Sequence, residues 1–249
     1  MKLAIKGIAL LTAAALSFAA ISAFAVGTES VLGFAGTQTV APNGVAKART
    51  APGIDVTAIV YDNTTSPALY GVSSTDLLAT WGDRLLTTGT GVLSNHQFSL
   101  FNSGSSAGPL LTATVAVNFF DGVTSVLLGG YNVNVNFGAG LNAGFYTIVN
   151  VTNLDPLVIN LNVADVIVTQ QVTAKTGTAS RLGIVSLDPP TVGTSPTSMY
   201  ISAATIGGGV PGFYTFANGP ANPGHQVTVT VPTVGTESKT WSGVKGLFR

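Results

Sequence analysis

Cysteine is absent from the 249-residue sequence. The fold must therefore hold without disulfide bonds, and small disulfide-stapled scaffolds are excluded. A chain of this length can bury roughly 70% of the surface that it exposes when unfolded, so a large hydrophobic core can take the place of such cross-links. The lack of cysteine also excludes a thiol nucleophile.

Charge is scarce as well, at 8% of residues against a typical ~25%. Ten basic residues balance ten acidic ones, and no basic patch is available to neutralise phosphates, which argues against nucleic acid as a partner. Thr, Asn, Ser and Gly are abundant instead, so we expect a neutral surface of hydroxyl and amide groups. Electrostatic repulsion between such surfaces is weak, which favours self-association into a coat or filament.

Residues that carry chemistry are few. The only two histidines, His96 and His225, have no second histidine or carboxylate at a metal-ligand spacing, and we predict both at strand ends or sheet edges. No serine lies in a Gly-x-Ser-x-Gly motif. Several aspartates stand next to Gly, Asn or Pro, where the carboxylate caps a turn; they are Asp62, Asp83, Asp121, Asp155 and Asp188. We predict no catalytic residue, cofactor or metal site, with a structural calcium ion left open.

The N-terminus has the pattern of a signal peptide. Lys2 and Lys6 precede the apolar run from Ile8 to Ala20, and Ala23-Phe24-Ala25 has the small-x-small form of a cleavage site. We expect a signal-peptide helix and cleavage between Ala25 and Val26. No later stretch offers the ~20 uninterrupted apolar residues of a membrane span, so we predict a secreted, extracellular or cell-surface protein without a membrane span.

The stretch from Leu110 to Phe137 carries the clearest structural pattern. LLTATVAVNFF and YNVNVNF alternate apolar and polar residues, as half-buried strands do. Asp121-Gly122 between them predicts a hairpin turn. The pattern places Leu111 with Val115 on the apolar side and Leu110 on the other, and it directs the asparagines of the second strand outward.

Similar alternation recurs along the chain, and no stretch has helical spacing over more than two turns. About ten to twelve short strands with regular turn signals predict an all-β fold, an antiparallel, jelly-roll-like β-sandwich. We divide the chain into a signal peptide (1–25), an extended lead-in (26–50), the sandwich domain (51–235) and a C-terminal tail (236–249).

Two groups of residues are candidates for binding. The first would form a surface site, with rings that stack on sugars and amides that bond to them; it comprises Trp81, Asn132, Asn134, Asn136 and Tyr214. Core packing is the competing interpretation for the rings. The second lies in the tail and would serve sorting or docking, with a frayed terminus as the alternative; it comprises Trp241, Lys245, Phe248 and Arg249.

Short repeats form a third signal. VGTES occurs at Val26–Ser30 and again at Val234–Ser238, and PTVGT occurs at Pro190–Thr194 and at Pro232–Thr236. Chance is one interpretation in a chain so rich in Val, Gly and Thr. The other is that equivalent edge segments pair between molecules.

Several segments resemble secreted bacterial β-sandwich proteins of the PEP-CTERM-exported type, most of them uncharacterised. The resemblance covers roughly Ile54 to Ile206 and rests on WGD, FSLFNSGSSAG, LTATVAVNFF, LNAGFY and GTASRLGIVSLDPPTVGTSP. The chain departs from that group at its end, which lacks the Pro-Glu-Pro motif, the membrane helix and the arginine cluster. Instead TWSGVKGLFR resembles the Thr-Trp-Gly-x-x-Lys-x-Leu-(Tyr/Phe)-Arg endings of other exported bacterial proteins. The resemblance implies export and a sandwich fold, and it carries no catalytic residues.

These observations predict a non-enzymatic structural or adhesion protein at the cell surface. Its expected partners are extracellular polysaccharide, other surface proteins or further copies of itself. An extracellular carbohydrate-binding module is the alternative, and it requires exposed rings on one sheet face. A secreted hydrolase would require two carboxylates to meet in a cleft, which the sequence does not indicate.

Overall fold

Two β-sheets packed face to face form the protein, as the alternation predicts. The structure, a computed structural model, describes residues 28–43, 56–76, 78–202 and 211–231. The predicted signal peptide, its cleavage residues Ala23, Ala25 and Val26, and the tail candidates Trp241, Lys245, Phe248 and Arg249 lie outside these ranges. No helix within the described ranges is long and apolar enough to cross a membrane.

The described residues form fifteen strands and one short 3-10 helix, Asp155–Leu157. The strands are β1 (Thr28–Glu29), β2 (Gly33–Val40), β3 (Val56–Asp62), β4 (Ala68–Ser74), β5 (Thr80–Leu86), β6 (Gly91–Asn102), β7 (Leu110–Asp121), β8 (Leu127–Leu141), β9 (Phe145–Val151), β10 (Asn160–Leu161), β11 (Asp165–Gly177), β12 (Leu182–Leu187), β13 (Met199–Ser202), β14 (Gly212–Tyr214) and β15 (His225–Val231).

The larger sheet has nine strands, with the main order β1-β4-β12-β6-β15-β3. Strands β9 and β10 also pair with β6, and β2 pairs with β9. The smaller sheet has six strands in the order β14-β13-β5-β11-β7-β8. Strand β8 and strand β14 are therefore the opposite edges of the smaller sheet.

The predicted hairpin is present as β7 and β8, which pair antiparallel with Val115 opposite Val133. Its apolar face lies in the core, because Val115, Val117, Phe119, Val133 and Val135 are all buried. The connection is longer than a two-residue turn. The Oδ1 atom of Asp121 accepts hydrogen bonds from the main-chain N–H groups of two loop residues, Val123 and Thr124, both at 2.8 Å.

The start of the hairpin corrects one detail of the prediction. In the pairing with β11, Thr112 and Leu110 lie opposite the consecutive residues Thr176 and Gly177, so Leu111 is the extra residue of a β-bulge on β7, and a bulge reverses the alternation of side chains. Leu110 is therefore fully buried, whereas Leu111 is exposed. Simple alternation assigns these two leucines the other way round.

The lead-in assigned to residues 26–50 is wrong as a separate segment. Residues 28–40 are extended but belong to the larger sheet, where β1 pairs with β4 and β2 pairs with β9. The β2–β9 pair is parallel, so the sandwich is not antiparallel throughout. Strand β2 pairs beside β9 within the larger sheet and is half-exposed. This position explains why β2 lacks the regular apolar alternation of the central strands.

The predicted turn at Gly82-Asp83 is also wrong. Strand β5 runs straight through both residues, and Asp83 is fully buried. Glycine is required at position 82 because a Cβ atom there would lie 2.9 Å from the carbonyl oxygen of Val168 on β11. Gly82 therefore reflects close approach of neighbouring backbone within the sheet and not a turn.

Candidate functional site

The outer face of the six-stranded sheet is the main candidate surface, and we call it the polar face. Alternate residues of a strand point to opposite sides of a sheet, so the residues between the buried valines of β7 and β8 point outward. On β8 these residues are Asn132, Asn134 and Asn136, and all three are exposed. The predicted outward amide ladder is therefore present.

Neighbouring side chains on β7 hold parts of this ladder in place. Asn134 lies opposite Thr114, and the Thr114 hydroxyl donates to Oδ1 of Asn134 at 2.8 Å. Oδ1 of Asn136 accepts the main-chain N–H of Gly138 at 2.9 Å. Asn132 forms a β-bridge with Asn43, whose N–H donates to the Asn132 carbonyl at 2.6 Å. The Nδ2 group of Asn134 is thus oriented for an outside acceptor.

The same face continues across β11 towards β5. Thr112 on β7 pairs with Thr176 on β11, and their hydroxyls are 2.6 Å apart. Gln171 lies opposite Ala116, and its Nε2 donates to the carbonyl of Leu78 at 2.7 Å. These rows consist of hydroxyl, amide and methyl groups, so the middle of the polar face is uncharged.

Two aromatic rings stand at the far end of the polar face. Tyr200 on β13 pairs with Gly82 and with Phe213 on β14. The two rings pack edge to face with centroids 5.7 Å apart, and Phe213 is 46% exposed. Gly82 pairs with Thr169, which pairs with Asn118 on β7, so the ring pair lies on the same face as the amide ladder.

The predicted ring residues Trp81 and Tyr214 do not stand on this face. Trp81 is 5% exposed and packs between the sheets with Met199 and Ile201. Tyr214 is half-buried against the same cluster. The surface assignment of Trp81 is therefore wrong. The exposed ring on β14 is that of Phe213, one position before Tyr214. The sequence does not indicate which of the two rings is exposed, because alternation cannot be read reliably in a strand of only three residues.

Two opposite charges on the polar face are paired with each other. Arg84 on β5 and Asp165 on β11 form a two-pronged ion pair, with Nε to Oδ1 at 2.8 Å and Nη2 to Oδ2 at 2.5 Å. The hydrogen bond with Asp165 raises the pKa of Arg84. A ligand on the polar face would therefore meet hydrogen-bonding groups and rings more than net charge.

A second candidate lies in the core, where both histidines meet. His96 on β6 and His225 on β15 stack with ring centroids 5.2 Å apart, and Nε2 of His96 lies 3.2 Å from Nδ1 of His225. The other nitrogen of His96, Nδ1, lies 2.6 Å from the hydroxyl of Tyr131 on β8 in the opposite sheet. Both histidines are fully buried, so their predicted place at sheet edges is wrong, although His225 does begin a strand.

Burial keeps both rings uncharged. It lowers the pKa of His96 well below the usual value, and the neighbouring His225 adds to that effect. It lowers the pKa of His225 to about 3, with the Gln97 main chain opposing part of the shift. Burial also raises the pKa of Tyr131. At neutral pH the trio is therefore a neutral hydrogen-bonded chain that joins the two sheets.

A neutral imidazole has one donor and one acceptor nitrogen, so the two contacts of His96 run in the same direction along the trio. Either the Tyr131 hydroxyl donates to Nδ1 of His96 and Nε2–H of His96 donates to His225, or both hydrogen bonds run the other way. Two imidazoles and a phenol could relay a proton. They do not form a metal site, because among the described residues no three His, Cys, Asp or Glu side chains form a metal-binding group.

Asp83 is the remaining buried ionisable group of note. Its Oδ1 accepts hydrogen bonds from the Ser195 hydroxyl at 2.8 Å and from the Arg84 N–H at 2.7 Å. Its Oδ2 has no hydrogen-bond partner in the described part of the chain. Burial raises the pKa of Asp83 well above the usual value. By contrast, Asp62 and Asp121 cap turns as predicted.

No protein family matches the chain, and no curated protein matches it either.

Proposed function

We propose that the protein is a secreted or cell-surface structural or adhesion β-sandwich without enzymatic activity. The observation that carries the proposal is the polar face, a broad surface of hydroxyl and amide groups on which the charges of Arg84 and Asp165 are paired with each other. Such a surface can pack against extracellular polysaccharide, another surface protein or a further copy of itself with little electrostatic repulsion.

The state of the ionisable groups supports the non-enzymatic part of the proposal. A general base needs a pKa near the working pH and access to its substrate. His96 and His225 are fully enclosed, and their lowered pKa values leave them uncharged without making them accessible. Asp121 is half-buried, and its carboxylate is engaged with its own turn.

A charge placed on the polar face tests the proposal. Native cells that produce the Asn134→Lys variant should release roughly severalfold more of the protein into the medium than wild type, because repeated contacts would bring like charges together. The measurement is immunodetection in intact-cell, envelope and medium fractions, with intact-mass analysis to locate the processed N-terminus.

Thr65→Lys is the matched control, since it adds the same charge at an exposed position in the turn after β3. It should be retained like wild type, and circular dichroism should show that both variants are folded. The proposal is wrong if the wild-type protein fractionates with the cytoplasm, or if the two variants are released equally.

A carbohydrate-binding module is the second candidate, and one specific observation favours it. The Tyr200–Phe213 ring pair shares the polar face with the Asn132–Asn136 ladder. Five strand spacings separate β14 from β8, about 24 Å in all, which is long enough for several sugar units. Rings would stack on the sugars while amides and hydroxyls bond to them.

Phe213→Ala tests this second candidate by retention on insoluble polysaccharides. Loss of one exposed ring should weaken binding about tenfold, which corresponds to roughly 1.4 kcal/mol. The matched control is Phe34→Ala, because Phe34 is 52% exposed and forms a comparable ring pair with Tyr146 at 5.1 Å, but on the larger sheet. Equal binding by both variants, or no retention of the wild-type protein on any polysaccharide, would exclude this function.

A further inference from the structure

The repeated segment VGTES has a defined docking site in the first of its two positions. Residues Thr28 and Glu29 of the copy at Val26–Ser30 form β1, which pairs with Gly71 and Val72 at the outer side of β4. Strand β1 is the last strand of the larger sheet at this end. Without it, β4 would present an open edge for another strand.

Glu29 is the anchor of this docking site. One carboxylate oxygen, Oε1, accepts a hydrogen bond from the Ser73 hydroxyl at 2.6 Å. The other, Oε2, accepts from the Ser103 hydroxyl and from the Gly104 N–H, both at 2.9 Å. Ser73 and Ser103 are fully buried, and Arg181 fixes Ser73 by donating to its hydroxyl at 3.1 Å. The site therefore recognises a carboxylate at a set position on an added strand.

The second copy, Val234–Ser238, has the same residues at the positions that make these contacts. Thr236 corresponds to Thr28, which accepts a hydrogen bond from Asn218, and Glu237 corresponds to Glu29. Main-chain pairing with β4 does not depend on sequence. The second copy therefore repeats the two side chains that hold the first copy in its site, although Val31, which follows the first copy and packs against the cluster that includes Phe101, corresponds to Lys239 in the tail.

Distance prevents the second copy from reaching the site of its own molecule. Strand β15 ends at Val231, and Thr230 pairs with Val92 near the start of β6. Glu29 is held by Ser103, eleven residues further along the chain from Val92, which is about 36 Å for extended strand. The six steps from Val231 to Glu237 span at most about 21 Å.

Exchange of the first copy for the second replaces like with like, because β1 pairs over only two residues and Glu237 can take over the hydrogen bonds that Glu29 gives up. The tail also repeats PTVGT from Pro190–Thr194. That segment, however, lies inside the chain, where Val192 and Thr194 bridge to Asp62 and Leu86. Replacing Pro190–Thr194 by the tail segment of another molecule would require the chain to come away from the sheets on both sides of Pro190–Thr194.

We propose that Val234–Ser238 of one molecule docks on β4 of a second copy in place of β1, with Glu237 held by Ser73, Ser103 and Gly104. This joint rests on the structural role proposed above and deepens it by naming the partner, a second copy of the chain. The docking site and the last residue of β15 lie near opposite ends of β6, so the joint links molecules head to tail.

Cross-linking between two differently tagged mature chains tests the joint. One chain carries Thr236→Cys and the other carries Asn218→Cys; the sequence has no other cysteine. Asn218 contacts the first-copy threonine, so a short thiol-specific cross-linker should join the two chains. A single chain with Thr28→Cys and Asn218→Cys calibrates the reaction, because it should form the corresponding link within one molecule.

Three further variants make the test specific. Glu237→Gln in the donor chain should lower the cross-linked yield about fivefold, because charge-assisted hydrogen bonds are roughly twice as strong as neutral ones. Glu29→Gln in the acceptor chain should raise the yield, because it loosens the competing first copy. Ser242→Cys in place of Thr236→Cys should give little product.

The proposal is overturned if Ser242→Cys cross-links as well as Thr236→Cys, or if Glu237→Gln leaves the yield unchanged. These measurements use purified protein and do not depend on where the protein resides. Failure of the joint can therefore be distinguished from failure of the cell-surface role, which the fractionation of Asn134→Lys cells tests.

Discussion

Unfolding measurements across pH should show that stability is lost both when the pH is lowered and when it is raised, and that the two losses come from different buried groups. The acid side arises from His96 and His225. Their pKa values are lowered in the folded protein, so below about pH 6.5 the unfolded chain binds protons that the folded chain does not. The free energy of unfolding therefore falls as pH is lowered.

The size of the acid-side effect follows from the pKa of His225. Folding lowers it from 6.5 to about 3, and one pKa unit corresponds to about 1.4 kcal/mol. His225 alone should then remove roughly 4 to 5 kcal/mol of stability by pH 3, a large share of the roughly 5 to 15 kcal/mol that domains have. His96 acts in the same direction.

Asp83 contributes to the alkaline side, together with buried tyrosines such as Tyr131 whose pKa values are also raised. The pKa of Asp83 is raised in the folded protein, so above about pH 3.9 the unfolded carboxyl group loses a proton that the folded one keeps. The free energy of unfolding therefore falls as pH rises, until folded Asp83 also ionises.

Two variants separate these contributions. His96→Gln with His225→Gln removes both titrating rings and should abolish the loss of stability between about pH 6.5 and 5, where ordinary carboxylates stay ionised. Asp83→Asn should reduce the loss on the alkaline side, and it should steepen the loss on the acid side above about pH 4, where Asp83 opposes the two histidines. The measurement is the free energy of unfolding in urea at each pH. An unchanged acid slope in the double histidine variant would show that the rings titrate normally in the folded state.

The strands of this fold are largely predictable because burial acts locally. Val115 and Val133 alternate with polar neighbours on β7 and β8, and this period alone predicts both the all-β class and the inward face. The outward position of Asn134 follows from the same pattern. These features require only that one face of a strand meets the core and the other does not.

The pairing of distant segments could not be predicted, because strand order depends on the whole chain. His96 and His225 are 129 residues apart, and no local signal places β6 beside β15. Asp83 follows a glycine that has the composition of a turn but serves close strand packing. The polar face shows the same limit, since Tyr200 and Phe213 join the ladder only through the register of β13, β5 and β11.

Asn63→Ala should be among the most destabilising single substitutions, with a loss of about 3 to 5 kcal/mol in the free energy of unfolding. Asn63 is fully buried directly after β3. Its Nδ2 donates to the carbonyls of Leu187 at 2.8 Å and Pro223 at 3.0 Å. Its Oδ1 accepts the N–H of His225 at 2.7 Å. Alanine would leave all three main-chain groups buried without partners.

Asn134→Ala is the matched control, because it removes the same side chain from an exposed strand position and should change stability by less than about 1 kcal/mol. Asn63→Asp adds a second test. It keeps an acceptor for His225 but turns a carboxyl oxygen towards two carbonyls, so its loss should grow as pH rises and the group ionises. If Asn63→Ala cost no more than Asn134→Ala, the start of β15 would be fixed by sheet pairing alone. A large, pH-independent loss for Asn63→Ala would instead show that one amide ties the ends of β3, β12 and β15 together.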